Sequence, residues 1–78
     1  MQMKETVIRI LRDLHDDVDF ETNTALVDDG VLDSLDIVSL ISEIAAELDI
    51  TIPAEEIVPE NFNSADALAL LLTRLDEE

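Results

Sequence analysis

The 78-residue chain has room for one domain, and its 20 acidic against 4 basic residues leave a formal charge of −16. A field of that sign repels phosphate backbones and anionic lipid, which excludes direct binding of nucleic acid or a membrane surface unless a cation intervenes. The 47% hydrophobic content, interleaved with the acids, argues against a disordered tail and for a small core of marginal stability, with added salt stabilising it by screening.

Cysteine is absent. No disulfide, thiolate metal site or cysteine nucleophile is therefore available, and the chain cannot form a thioester unaided. No apolar run approaches about 18 residues. The opening Met1-Gln2-Met3-Lys4-Glu5 lacks the basic-then-apolar order of a signal peptide. The expectation is a soluble, cytoplasmic protein without membrane insertion, and like-charge repulsion favours a monomer.

Glycine and proline occur only as Gly30, Pro53 and Pro59, which favours helices joined by loops over a sheet rich in tight turns. From Met3 to His15, apolar Met3, Val7, Ile10, Leu11 and Leu14 recur at steps of three and four, predicting a first helix. Residues 16–33 lose that period and form a long loop, which Val18, Phe20, Leu26, Val31 and Leu32 can pin to the core. Loops of this length in a small domain are usually functional or mobile.

A second helix is predicted over Ser34 to Leu48, with Asp33 as cap and Asp36 as the first-turn acid. Pro53 suits the start of a short third helix, which Pro59 is expected to limit by removing an amide donor. Asn63 or Ser64 caps the last helix, where Leu68, Leu71, Leu72 and Leu75 make the apolar stripe and Asp66 occupies the positive first turn. The fold class is therefore all-α: a small four-helix bundle of three main helices and one short one, with the long loop between the first and second, forming a single domain over residues 1–78.

On a wheel of about 100° per residue, Ile37, Leu40, Ile41, Ile44 and Leu48 share the core face of the second helix. Leu35 falls nearly opposite, beside Ser39, Ser42 and Ala46, with Val38 at the border and Asp36, Glu43 and Glu47 along one side. A greasy spot with an acidic margin suits a partner with a basic rim, although a lone exposed leucine can also mean nothing. Ser34 has two readings. As a cap its hydroxyl would be consumed; if Asp33 caps, Ser34 enters the first turn with a free hydroxyl, where a phosphate ester would gain from unpaired amides. Ser64 has no preceding aspartate to relieve it and takes the capping role.

The stretch Gly30-Val31-Leu32-Asp33-Ser34-Leu35-Asp36 resembles the Asp-Ser-Leu signature of acyl carrier proteins and peptidyl carrier domains. The likeness extends to the chain length, the long first loop, Asp49 through Pro53, and the Asn-Phe-Asn-Ser start of the last helix. It implies a carrier in which Ser34 receives 4′-phosphopantetheine from coenzyme A through a magnesium-dependent phosphopantetheinyl transferase. Acyl or aminoacyl cargo then rides as a thioester on the cofactor's thiol, supplied and used by acyl-activating ligases or synthases with basic docking patches. Asp33, Leu35, Asp36, Val38, Ser42, Glu43 and Glu47 form the expected docking set. The chain departs from the fatty-acid branch, which usually has Leu-Gly and a small residue before Asp-Ser; Gly30-Val31-Leu32 looks closer to D-alanyl and nonribosomal-type carriers.

Other chemistries fit less well. With Gly30 at the sixth position of an EF-hand loop, Ala25 and Val27 would fill the first and third ligand positions and donate nothing. Asp28, Asp29, Asp33 and Asp36 offer at most loose divalent binding as charge relief, so no metal site is assigned. A Ser34 hydrolase would need a base and glycines flanking the nucleophile, whereas Leu32 and Asp36 stand there. His15, the only histidine, reads as a solvated residue or as a C-terminal helix residue favoured by the dipole. No catalytic residue is assigned. The alternative to a carrier is an unmodified acidic adaptor, which would tolerate Ser34→Ala.

Overall fold

The computed structural model describes residues 3–77, so Met1, Gln2 and Glu78 lie outside it. Four α-helices follow one another, α1 (Met3–Leu14), α2 (Ser34–Leu48), α3 (Pro59–Phe62) and α4 (Ala65–Asp76), with a 3-10 turn at Ala54–Glu56 and no strand among the described residues. The all-α bundle is the architecture that the apolar periodicity requires. Helix α1 packs against α4 and α2, and α3 against α4.

The core is built from the predicted stripes. Val7, Ile10 and Leu11 of α1, Leu40 and Ile44 of α2, and Leu68, Leu71 and Leu72 of α4 are buried. Ile8 joins them, while Ile37, Ile41, Leu48 and Leu75 cover the edges half-buried. The long loop is held as its composition suggests: Phe20, Leu26 and Leu32 are buried, and Val18 and Val31 pack on the core's rim. Each of these anchors removes apolar area from water at about 25 cal/mol per Å², which fixes the path of the chain into α2.

Two boundaries differ from the sequence reading. Pro59 does not limit the short helix; it opens α3 at its first position, where a missing amide hydrogen costs nothing, and Pro53 instead caps the separate 3-10 turn. Helix α1 ends at Leu14, one residue short, although the His15 amide still donates to the Leu11 carbonyl at 3.0 Å. Ser64, not Asn63, caps α4, its hydroxyl accepting from the Ala67 amide at 3.0 Å. Asp49 ends α2 in the left-handed conformation (φ 58°), donating its amide to the Ala45 carbonyl. Such a C-cap usually takes glycine or asparagine.

Ion pairs brace the bundle from outside. Lys4 of α1 reaches Asp66 of α4 at 3.0 Å, and Arg74 of α4 holds Glu56 of the 3-10 turn at 3.1 Å. Arg9 of α1 pairs with Glu47 of α2. Each base sits among an excess of acids, so these exposed contacts offset local repulsion more than they add stability.

Candidate functional site at the start of helix α2

The loop that delivers Ser34 is locked before the helix begins. Leu26 donates its amide to the Asn63 carbonyl and accepts at its own carbonyl from Leu32, both at 2.9 Å. The Asn63 side-chain oxygen accepts from the amides of Val27 (2.9 Å) and Asp28 (3.1 Å), so the corner between α3 and α4 clamps the loop. Gly30 closes the turn with φ +80°, donating to the Val27 carbonyl. A side chain there would meet open space but an unfavourable backbone conformation.

Asp33 then starts the helix. It caps α2 with an extended backbone, and its Oδ1 accepts from the Asp36 amide at 2.9 Å. Asp36 reciprocates, its Oδ2 accepting from the Asp33 amide at 3.3 Å, which completes a capping box made of two aspartates. Ser34 consequently lies at the first helical position, exposed, and its hydroxyl has no hydrogen-bond partner among the described residues. The arrangement leaves a nucleophile-capable oxygen at the positive end of a four-turn helix.

His15 stands at the C-terminal end of α1, as one of its two readings has it, but it is half-buried and engaged, not freely solvated. Its side chain is about one-third exposed, and Nε2 lies 2.9 Å from Asp36 Oδ2. The hydrogen bond to Asp36 raises the imidazole pKa above 6.5, aided by the charges of Asp36, Asp17 and Asp33. The same bond holds the Asp36 carboxyl below its ordinary 3.8.

The seven residues expected to dock partners fall into two groups. Leu35, at 77% exposure, and Val38, at 61%, face outward with Ser42 and Glu43. Asp33 and Asp36 are engaged at the helix start, and Glu47 is paired with Arg9, which lowers its pKa. Sequence reasoning missed His15 as a partner of Asp36 and Asn63 as the loop clamp. The first carries no local signal. The second is masked because asparagine before a helix has several uses, capping among them.

Where the residues surrounding an implied prosthetic group can be tested, they fit it. The hydroxyl is unengaged, its neighbour does the capping, and the loop before it is fixed. A bundle that presents one free serine at a helix N-terminus is the layout of a carrier domain. The chain matches the family model for the phosphopantetheine attachment site over residues 2–72. It is 38% identical over 69 residues to a D-alanyl carrier protein of Streptococcus suis, covering 87% of each chain. It is 35% identical over 78 residues to a D-alanyl carrier protein of Listeria innocua, covering 97% of this chain and 96% of that one. Aminoacyl carrier protein 1 of Bradyrhizobium diazoefficiens is 45% identical over 58 residues, 73% of this chain and 63% of that relative. The chain therefore belongs to the phosphopantetheine-attachment family of carrier proteins, and its cofactor is covalently attached 4′-phosphopantetheine.

Proposed function

We propose that this protein is an aminoacyl carrier of the D-alanyl kind, in which Ser34 bears the prosthetic group and an adenylating ligase loads the cargo. The observation that carries the attachment is the unengaged Ser34 hydroxyl beside a self-sufficient Asp33–Asp36 cap. The names of the relatives from Streptococcus suis and Listeria innocua support the cargo. When bound, the group supplies the terminal thiol for a thioester that a cysteine-free chain lacks.

The chain's own residues attach, orient and display. Ser34 Oγ would be the oxygen that takes the new bond to phosphorus as the pyrophosphate bond of coenzyme A breaks, with 3′-phosphoadenosine 5′-phosphate leaving and the serine proton passing to a base of the transferase. Helix α2's unpaired first amides favour the phosphodiester charge that results, on a chain otherwise hostile to anions. Leu35 and Val38 offer an apolar contact, with Glu43 as an acidic margin, and Asp33, Asp36, Ser42 and Glu47 extend the docking face. Catalysis belongs to the transferase and the ligase. The reading makes residues 1–78 one carrier domain, monomeric and cytoplasmic.

Intact mass spectrometry after incubation with coenzyme A and a broad phosphopantetheinyl transferase tests the attachment. One added phosphopantetheine, absent in Ser34→Ala, is expected; an unchanged mass with a transferase active on a control carrier contradicts it and favours the unmodified adaptor. Loading of the modified protein by a D-alanine-activating ligase, compared with ligases for other amino and acyl groups, tests the cargo.

A further inference from the structure

The His15–Asp36 contact joins the end of α1 to the first turn of α2, across 21 residues of sequence and the whole of the long loop. Asp36 Oδ2 is shared: it accepts from the Asp33 amide in the capping box and lies against His15 Nε2. Ser34 stands between the two capping residues, so whatever holds Asp36 in place also holds the backbone on either side of the serine. The capping bond that Asp36 accepts is long at 3.3 Å, whereas the bond to His15 is 2.9 Å. The histidine is thus the stronger constraint on that carboxylate.

We propose that His15 is a positioning residue for the modification of Ser34, its imidazole fastening Asp36 across the start of α2 so that the serine is presented in one orientation to the transferase. The proposal rests on the attachment reading above. Asp36, in the first turn of α2, contacts the ring at 2.9 Å, and the charges of Asp17 in the loop and Asp33 at the cap of α2 act on it from further away. All favour the imidazolium. The charged ring donates to Asp36 with charge assistance, and a neutral ring donates more weakly. Presentation is therefore best at low pH and loosens as pH rises past the raised pKa of His15. A glutamine at position 15 keeps an amide donor without a titratable charge.

The test uses the unmodified full chain, with the initial rate of phosphopantetheine addition followed by intact mass from pH 6 to about 9. At each pH the wild-type rate is divided by that of His15→Gln, which cancels the transferase's own ionisations. The ratio is expected to be about threefold at the acidic end and to fall towards one as His15 deprotonates, the size expected of a partly exposed charge-assisted contact. His15→Ala is expected to raise the transferase KM for the carrier more than it lowers kcat, with His15→Gln restoring part of the loss. In NMR titration the His15 ring should titrate above 6.5 in the wild type and at a lower pH in Asp36→Asn than in the wild type, because the bond and charge of Asp36 are gone while those of Asp17 and Asp33 remain. Circular dichroism at each pH restricts the comparison to folded protein. A ratio that stays flat while Ser34 is modified normally overturns the positioning role and leaves the attachment reading standing. Failure of the wild type to gain mass, or gain of mass by Ser34→Ala, overturns both.

Discussion

Two serines stand at two helix starts in this molecule and do opposite things. At α4, Ser64 is the cap, and its oxygen is bound to the Ala67 amide. At α2, the capping position belongs to Asp33, and Ser34 sits one residue further on with its hydroxyl unengaged. A shift of one position relative to the cap turns the same side chain from a structural acceptor into an available nucleophile. The surroundings differ to match. The start of α4 is reached through the short helix α3, whereas α2 is reached through a long loop clamped by Leu26, Leu32 and Asn63.

Breaking the contrast at its strongest point gives an all-or-none effect. Ser34→Ala is expected to abolish phosphopantetheine addition by intact mass without loss of helix content, while Ser64→Ala is modified at the wild-type rate. Next in size is a change that undermines both helices through their common core. Ile44 is fully buried on α2, so Ile44→Ala should cost about 2 to 4 kcal/mol in urea unfolding, a large share of what a small domain has.

Removing either cap sharpens the comparison further. Ser64→Ala and Asp33→Ala should each lose about 1 kcal/mol by the same measurement. Only Asp33→Ala should also slow modification, because Ser34 is then drawn into the vacated capping role. The smallest effect lies on the outer face. Leu35→Lys should change stability by less than about 0.5 kcal/mol yet weaken transferase docking, seen as a raised KM. A Leu35→Lys variant that unfolds would show that this side chain belongs to the core.

Stability against pH reports the same helix start. The pKa of His15 is raised, so its contribution is complete below 6.5 and is lost as pH rises through the folded value. The pKa of Asp36 is lowered by its bond to His15, so that group contributes above its ordinary 3.8 and loses its contribution as pH falls through the folded value. Thermal melts should therefore show a small decline on the alkaline side of 6.5 that His15→Gln lacks.

What could be read from the sequence divides along the range of the interactions. The bundle was legible because burial follows apolar spacing within one helix, as with Val7, Ile10 and Leu11 or Leu68, Leu71 and Leu72. The caps were legible because a side chain reaches only two or three amides away, which is how Asp33 relieves Ser34. The role of Pro59 is ambiguous in sequence because proline both ends and begins helices, and the 3-10 turn before it has no strong period. The bonds from Asn63 to Val27 and from His15 to Asp36 span 36 and 21 residues. They depend on how the helices cross, and no local spacing announces them. The docking face shows the same divide: the outward turn of Leu35 follows from the wheel, but the engagement of Glu47 by Arg9 requires the packing of α1 on α2.

Which oxygen becomes esterified is read directly from a proton–phosphorus correlation spectrum of the modified, isotope-labelled protein. A single phosphodiester signal coupled to the β protons of Ser34 is expected. A signal coupled to Ser64 or to any other hydroxyl, or no protein-bound phosphorus after treatment with an active transferase, would contradict it.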